Sequence, residues 1–249
     1  MILAAICLSQ DAYAAGDERF VPDCAGAVEI AHGHVVRVEQ DGALILSDGR
    51  ALALEGVRLP LGDKAAGVQA LTALRAMALA GPINFTTPAP AKDRYGRVRV
   101  QAFGRSWFQV ALLEKGLAQV QIAPDRTECA PDLYEAEAGA RARRNGIWAL
   151  PDYGVRTPQS LKNATGTYQL VEGRVNNIGR VDGRTFIDFD ANGRRLFSAV
   201  IGSEDRRAFR DFDFDELSSR RVRVRGIVQE YRGRPEILLS NPFQIEVLD

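Results

Sequence analysis

Asp93-Arg94-Tyr95-Gly96-Arg97 is a polar loop set between two apolar runs, Ile83 to Thr87 and Val98 to Phe103. The runs are rich in β-branched and aromatic residues, and Asp and Gly punctuate between them. The stretch therefore predicts strand, loop, strand. Upstream the period changes. Ala66, Ala70, Leu71, Leu74, Met77 and Ala78 recur near 3.6, which predicts a helix over 63–80 stopped by Gly81-Pro82. Earlier still, Val35 to Leu46 alternates weakly around Gln40-Asp41-Gly42, and Asp48-Gly49-Arg50 turns the chain again between Leu44-Ile45-Leu46 and Ala51 to Leu54. That is the pattern of a β-meander. Downstream, Phe108 to Lys115 reads as a short helix closed by Gly116, Leu117 to Ile122 as a strand, and Pro131 to Arg144 as a helix ended by Asn145-Gly146.

The chain has 249 residues, which fits one or two domains. Apolar residues make up 46% and charged residues 26%, values that exclude a disordered or collagen-like chain. Lys+Arg and Asp+Glu are both 32, so a chain-wide basic field for capturing polyanions is excluded, though a local patch is not. No apolar run approaches the roughly 20 residues of a bilayer span. Ile2 to Ser9 is apolar and Ala12-Tyr13-Ala14 supplies an A-x-A step, so residues 1–14 read as a signal peptide and the protein as periplasmic or secreted. Cys7 leaves with that segment. Cys24 and Cys129 remain, an even pair in an oxidising compartment, and a disulfide between them is expected.

From about Gly33 to Ala149 the chain resembles the staphylococcal nuclease-like (thermonuclease) family. The residues that carry the resemblance are Val38 to Gly42, the frame Leu54-Glu55-Gly56-Val57-x-x-Pro60, Asp93 to Arg97, Leu112 to Ala118, and Glu135 to Arg141 leading to Gly146-Ile147-Trp148. The resemblance implies a five-stranded barrel with about three helices over residues 24–150. Residues 151–165 read as a linker rich in Pro, Gly and polar side chains. Residues 166–249 lack Lys altogether and read as strands at Tyr168 to Val175, Arg184 to Phe189, Arg195 to Ile201, Arg221 to Val228, Glu236 to Ser240 and Ile245 to Leu248, with a short helix over 204–212 capped by Ser203. That pattern suits a second small barrel of the OB type. The expected fold is mainly β (α+β), two OB-like five-stranded β-barrels in tandem.

The family's chemistry is Ca²⁺-dependent phosphodiester hydrolysis, and its usual pattern reads D-G-D-T, R-L-x-G-I-D-x-P-E and D-x-Y-G-R. By that resemblance two Asp hold Ca²⁺, the Glu activates water, and two Arg clamp the phosphate. This chain departs at most of those positions. Ala43 stands for the first metal Asp, Ala53 for the first Arg, Arg58 for the second metal Asp and Leu61 for the Glu; Arg97 is kept. A hard dication needs several oxygen ligands, and in-line attack needs a base. The expectation is a protein that has lost calcium-dependent cleavage and needs no cofactor. It would act as a nucleic-acid or nucleotide-binding module, or as a scaffold.

Two readings of Arg58 stay open. It could grip a phosphate together with Arg97, with Tyr95 and Arg94 beside them, or it could pair with Asp41 or Glu55 and fill the former metal site. An exported nuclease with a rearranged site is the alternative function, with Asp63 shifted toward the Glu position, and a protein-interaction module is a third.

Weaker signals have ordinary explanations. Arg221, Arg223 and Arg225 alternate with Val222 and Val224, which gives either a nucleic-acid face with Tyr231 or Phe243 for stacking, or a solvated face paired with Glu230, Glu236 and Glu246. Trp107, Phe108 and Trp148 read as core anchors. His32-Gly33-His34 and Asp211-x-Asp213-x-Asp215 fall short of a metal motif.

Overall fold

The computed structural model describes Cys24 and residues 30–86, 92–191 and 194–248. The expected signal segment, residues 1–14, lies outside the described residues. The first half begins with β1 (Ile30–Gly33), β2 (Val35–Val38), β3 (Leu44–Leu46), β4 (Ala51–Leu54) and β5 (Val57–Arg58). Helix α1 (Lys64–Ala78) follows, then β6 (Ile83–Thr86), β7 (Val98–Phe103), α2 (Phe108–Glu114), β8 (Gln119–Val120) and α3 (Ala130–Ala142). Six of the strands form one sheet in the order β1-β6-β7-β4-β3-β2, while β5 and β8 pair as a separate ribbon. Its core gathers Leu44, Leu52, Phe85, Phe103, Phe108 and Leu112, which the apolar alternation of the strands and the 3.6 spacing of the helices direct inward.

Helix α1 starts where its sequence allows. The Asp63 carboxylate accepts from the amides of Ala65 and Ala66, satisfying donors that the first helical turn leaves free. Ala66, Ala70, Leu71, Leu74 and Ala78 form its buried face. A second local device joins α2 to the end of α3. The amide of Ile147 donates to the carbonyl of Gly116 at 2.9 Å. A Cβ built on Gly116 would lie 2.0 Å from the Asn145 carbonyl oxygen, so only glycine lets these two chains touch.

The second half carries β9 (Tyr168–Arg174), β10 (Asn177–Val181), β11 (Arg184–Ala191), β12 (Arg194–Ile201), β13 (Arg221–Tyr231), β14 (Arg234–Leu239) and β15 (Ile245–Val247). They make a seven-stranded sheet in the order β10-β11-β12-β14-β13-β15, with β9 paired to β13. Phe189, Phe197, Val222, Val224 and Ile237 lie at its core. Between the halves, residues 151–165 form short 3-10 turns; Arg156 exchanges backbone hydrogen bonds with Leu170 and Glu172, and Leu161 is buried.

Among the described residues the molecule is mainly β with three α-helices, as expected, but its two main sheets have six and seven strands rather than five, and no ring of paired strands closes into a barrel. In the first sheet the run before the meander splits at His34 into β1 and β2, which pair at opposite edges of the sheet. In the second, Asn177–Val181 adds an edge strand whose Asn and Gly hid its β character. Of the helix expected over 204–212, only a turn at Arg206–Phe209 forms, and Ser203 does not cap it.

The two halves are joined by buried polar contacts. The Arg225 side chain on β13 is 1% exposed and reaches Glu137 on α3 at 2.9 Å and Glu246 on β15 at 2.5 Å. The Tyr168 hydroxyl donates to the Val120 carbonyl at 2.7 Å and the Asn241 amide to the Ile122 carbonyl at 3.1 Å. Tyr134 donates to the carbonyl of Phe243.

Candidate nucleic-acid cleft

The ends of β3, β4 and β5 and the loop after β5 enclose a cleft of about 310 Å³ lined by Asp41, Ala43, Ala53, Arg58, Leu61 and Arg97, among others. The fold thus gathers the positions that the sequence set apart. Arg97 is placed by its own loop. Asp93 accepts from the amides of Tyr95 and Arg97 and takes Arg97 Nε at 2.7 Å. Partial burial pushes the Asp93 carboxyl up. The Arg97 side chain and these amides outweigh that and hold it below its ordinary value. Across the cleft, Arg97 Nη1 donates to Asp41 at 2.7 Å. Exposed Tyr95 lies under two guanidiniums, those of Arg94 at 4.9 Å and Arg97 at 5.0 Å.

Arg58 does not make the expected ion pair with Asp41 or Glu55. Asp41 is taken by Arg97, and Glu55 is buried against Arg99 at 3.4 Å, with burial pushing the Glu55 carboxyl up. Among the described residues no ion pair reaches Arg58. Its guanidinium lies over the ring of Tyr168 at 5.6 Å instead. The cause is the β5–β8 ribbon, which pairs Arg58 with Gln119 and Val57 with Val120. Val120 also receives Tyr168 from the second half, so the ribbon brings Arg58 to the junction. There it borders both the cleft and a neighbouring groove of about 440 Å³ that includes Tyr153, Arg156 and Tyr168.

The donors present do not fit the family's Ca²⁺. Asp41 is the one carboxylate among the cleft's lining residues; one of its oxygens accepts the Ala43 amide and the other accepts Arg97. Asp63 caps α1 through Oδ1 and does not line the cleft. Among the described residues no three of His, Cys, Asp or Glu converge as a metal site would require, and His32 and His34 are exposed.

The other sequence signals fall into place. Cys24 and Cys129 form the expected disulfide. Trp107, Phe108 and Trp148 are buried. Phe212 and Phe214 pack with Phe209 as ring contacts. The arginine stripe of β13 is paired rather than open, but chiefly with other partners than expected. Arg221 and Arg223 meet Glu172, and Arg223 also meets Glu246. Arg225 is buried, not solvated. What sequence reading missed was Glu137, fully buried at the junction; its placement inside the Ala-rich spacing of α3 was the available clue.

Residues 67–150 match a family model described as staphylococcal nuclease homologue. The match spans 84 of the 249 residues and supports the resemblance to that family over this segment. The matched segment holds Arg97, α2, α3 and all but the first three residues of α1, while Ala43, Ala53, Arg58 and Leu61 precede it. No curated protein matched the chain.

Proposed function

We propose that this protein binds nucleic acid or nucleotide phosphate in the cleft without cutting it, and that it works in the periplasm or outside the cell. The observation that carries the reading is Arg58. A guanidinium with no ion pair among the described residues borders the cleft at the position where the family has a calcium Asp. A permanently charged, planar group suits phosphate oxygens and opposes a cation at the same place. Arg97 contributes less free charge, because Asp41 and Asp93 hold it. Phosphate contacts of this kind bind without reading sequence. Absence of the family's Glu at position 61 removes a base typically worth about 10² to 10⁴ in rate. The Cys24–Cys129 disulfide supports an oxidising compartment.

The test is a titration of labelled single- and double-stranded oligonucleotides at low salt with EDTA present. Binding is expected, weakening with salt and on Arg58→Ala. Absence of binding rejects the reading. Cleavage in Ca²⁺ that disappears on Arg97→Ala returns the alternative of an active nuclease with a rearranged site.

A further inference from the structure

The outer face of the second sheet holds a separate cavity of about 530 Å³. Strand register builds its floor. Asn177 pairs with Asp188, Asp188 with Ser198 and Ser198 with Glu236, which lays one polar row across β10, β11, β12 and β14. Phe186, two residues from Asp188, stands on the same face, and Tyr231, Arg232 and Arg234 come from the turn joining β13 to β14. Arg184 lies along the groove, 5.1 Å from the ring centre of Phe186 and 5.5 Å from that of Tyr231. Arg232 lies 5.2 Å from the Tyr231 ring, which is 45% exposed.

The two carboxylates of the floor differ. Asp188 is satisfied, accepting from Ser198 at 2.7 Å and from Asn177 at 3.2 Å. Glu236 is only 7% exposed, yet no hydrogen bond among the described residues ends on its carboxylate. Its ion pair with Arg184 is long, 3.7 Å, and burial pushes its carboxyl up. A carboxylate held only by so long a pair gains from any ligand that brings donors to hydrogen-bond distance.

We propose that this groove binds single-stranded nucleic acid through a guanine, whose N1–H and N2–H donate to Glu236 while its ring stacks on Tyr231. Neighbouring phosphates meet Arg232 and Arg234. An ionised carboxylate only accepts, and it accepts two parallel donors best. Guanine is the common base that offers two adjacent N–H groups on one edge. Single-stranded bases are read on that edge while stacked on aromatic rings and guanidinium planes. Three arginines among the lining residues oppose a cationic peptide at the same place. The site is distinct from the Arg58 cleft and does not depend on it.

The test uses the full chain and labelled thymidine octamers that carry a central guanine, inosine or thymine, followed by fluorescence anisotropy. Inosine lacks the N2 amino group, so the guanine strand should bind about tenfold tighter than the inosine strand. Glu236→Gln, nearly isosteric, should erase that preference with the circular-dichroism melt unchanged. Tyr231→Ala should weaken all three strands, by about tenfold. Arg58→Ala should leave the guanine preference intact. Equal affinity for guanine and inosine, or a preference that survives Glu236→Gln, overturns the proposal while leaving the cleft reading standing. A preference lost on Arg58→Ala and kept on Glu236→Gln assigns it to the cleft and also overturns it. Capture of an arginine-rich peptide in place of every octamer makes the groove a protein-binding one, and binding of no strand at all rejects both readings.

Discussion

Arg225 and Arg97 each hold two carboxylates, yet they do different work because their surroundings differ. Arg225 sits at the junction, with its side chain 1% exposed and Glu137 wholly buried beside it. Burial alone would favour its neutral form, but the field of Glu137 and the neighbouring groups keeps it firmly protonated. Glu246, pushed up by burial, is brought below its ordinary value by Arg225 and Arg223. Arg97 keeps 21% of its side chain in solvent and faces a cleft, with Asp41 58% exposed across from it. Water screens that pair and can replace either partner. The buried cluster therefore fixes how the two halves sit together. The exposed one is free to trade its carboxylates for a ligand.

That contrast can be broken by mutation, and the largest effect belongs to the buried side. Arg225→Ala leaves Glu137 charged without its main partner and should lower stability by about 3–5 kcal/mol in urea unfolding. Arg225→Met combined with Glu137→Gln should recover part of that loss, because the two most deeply buried charges are then removed together. Cys24→Ser tests the covalent tie to the start of the same helix, α3. The bridge spans 105 residues, and its loss should cost about 2–5 kcal/mol, matched by adding reductant to the parent protein. At the exposed cluster, Arg97→Ala should change stability by about 1 kcal/mol or less while weakening oligonucleotide binding at low salt.

The smallest effect sharpens the comparison by pH. The Asp93 carboxyl titrates below its ordinary value in the folded protein. The stability it contributes is fully present above the unfolded value of about 4 and is lost as the pH falls through the lowered one. The difference in unfolding free energy between the parent and Asp93→Asn should therefore be constant near neutrality. It should shrink below about pH 4. A difference that grows on acidification contradicts the assignment.

Much of the fold was legible because it is written locally. The spacing of Ala66, Leu71 and Leu74 marks α1, and Asp63 before them marks its start. The turn glycines mark the meander, and the reading that sets Cys7 aside left Cys24 and Cys129 one way to pair. Where sequence reading fell short, the cause was contact between distant segments. A residue that bends a strand, as at His34, changes the strand count without changing the apolar pattern. Asn177 to Val181 becomes a strand only because β11 offers it a partner.

The cleft was legible as a set of positions and not as an arrangement. The sequence by itself determined which side chains stand at the positions where the family resemblance places a reaction centre, since Ala43, Ala53, Arg58 and Leu61 follow from a reading of order and spacing. Only the tertiary structure decided that Asp41 and Asp93 hold Arg97, that Arg58 leans on Tyr168 instead of a carboxylate, and that Glu236 lies mostly buried with Arg184 3.7 Å away as its ion-pair partner. Residue identity sets what charge and hydrogen bonds a side chain can offer. Which of them are used depends on neighbours tens of residues away and on how much water reaches them, and neither quantity exists until the chain has folded.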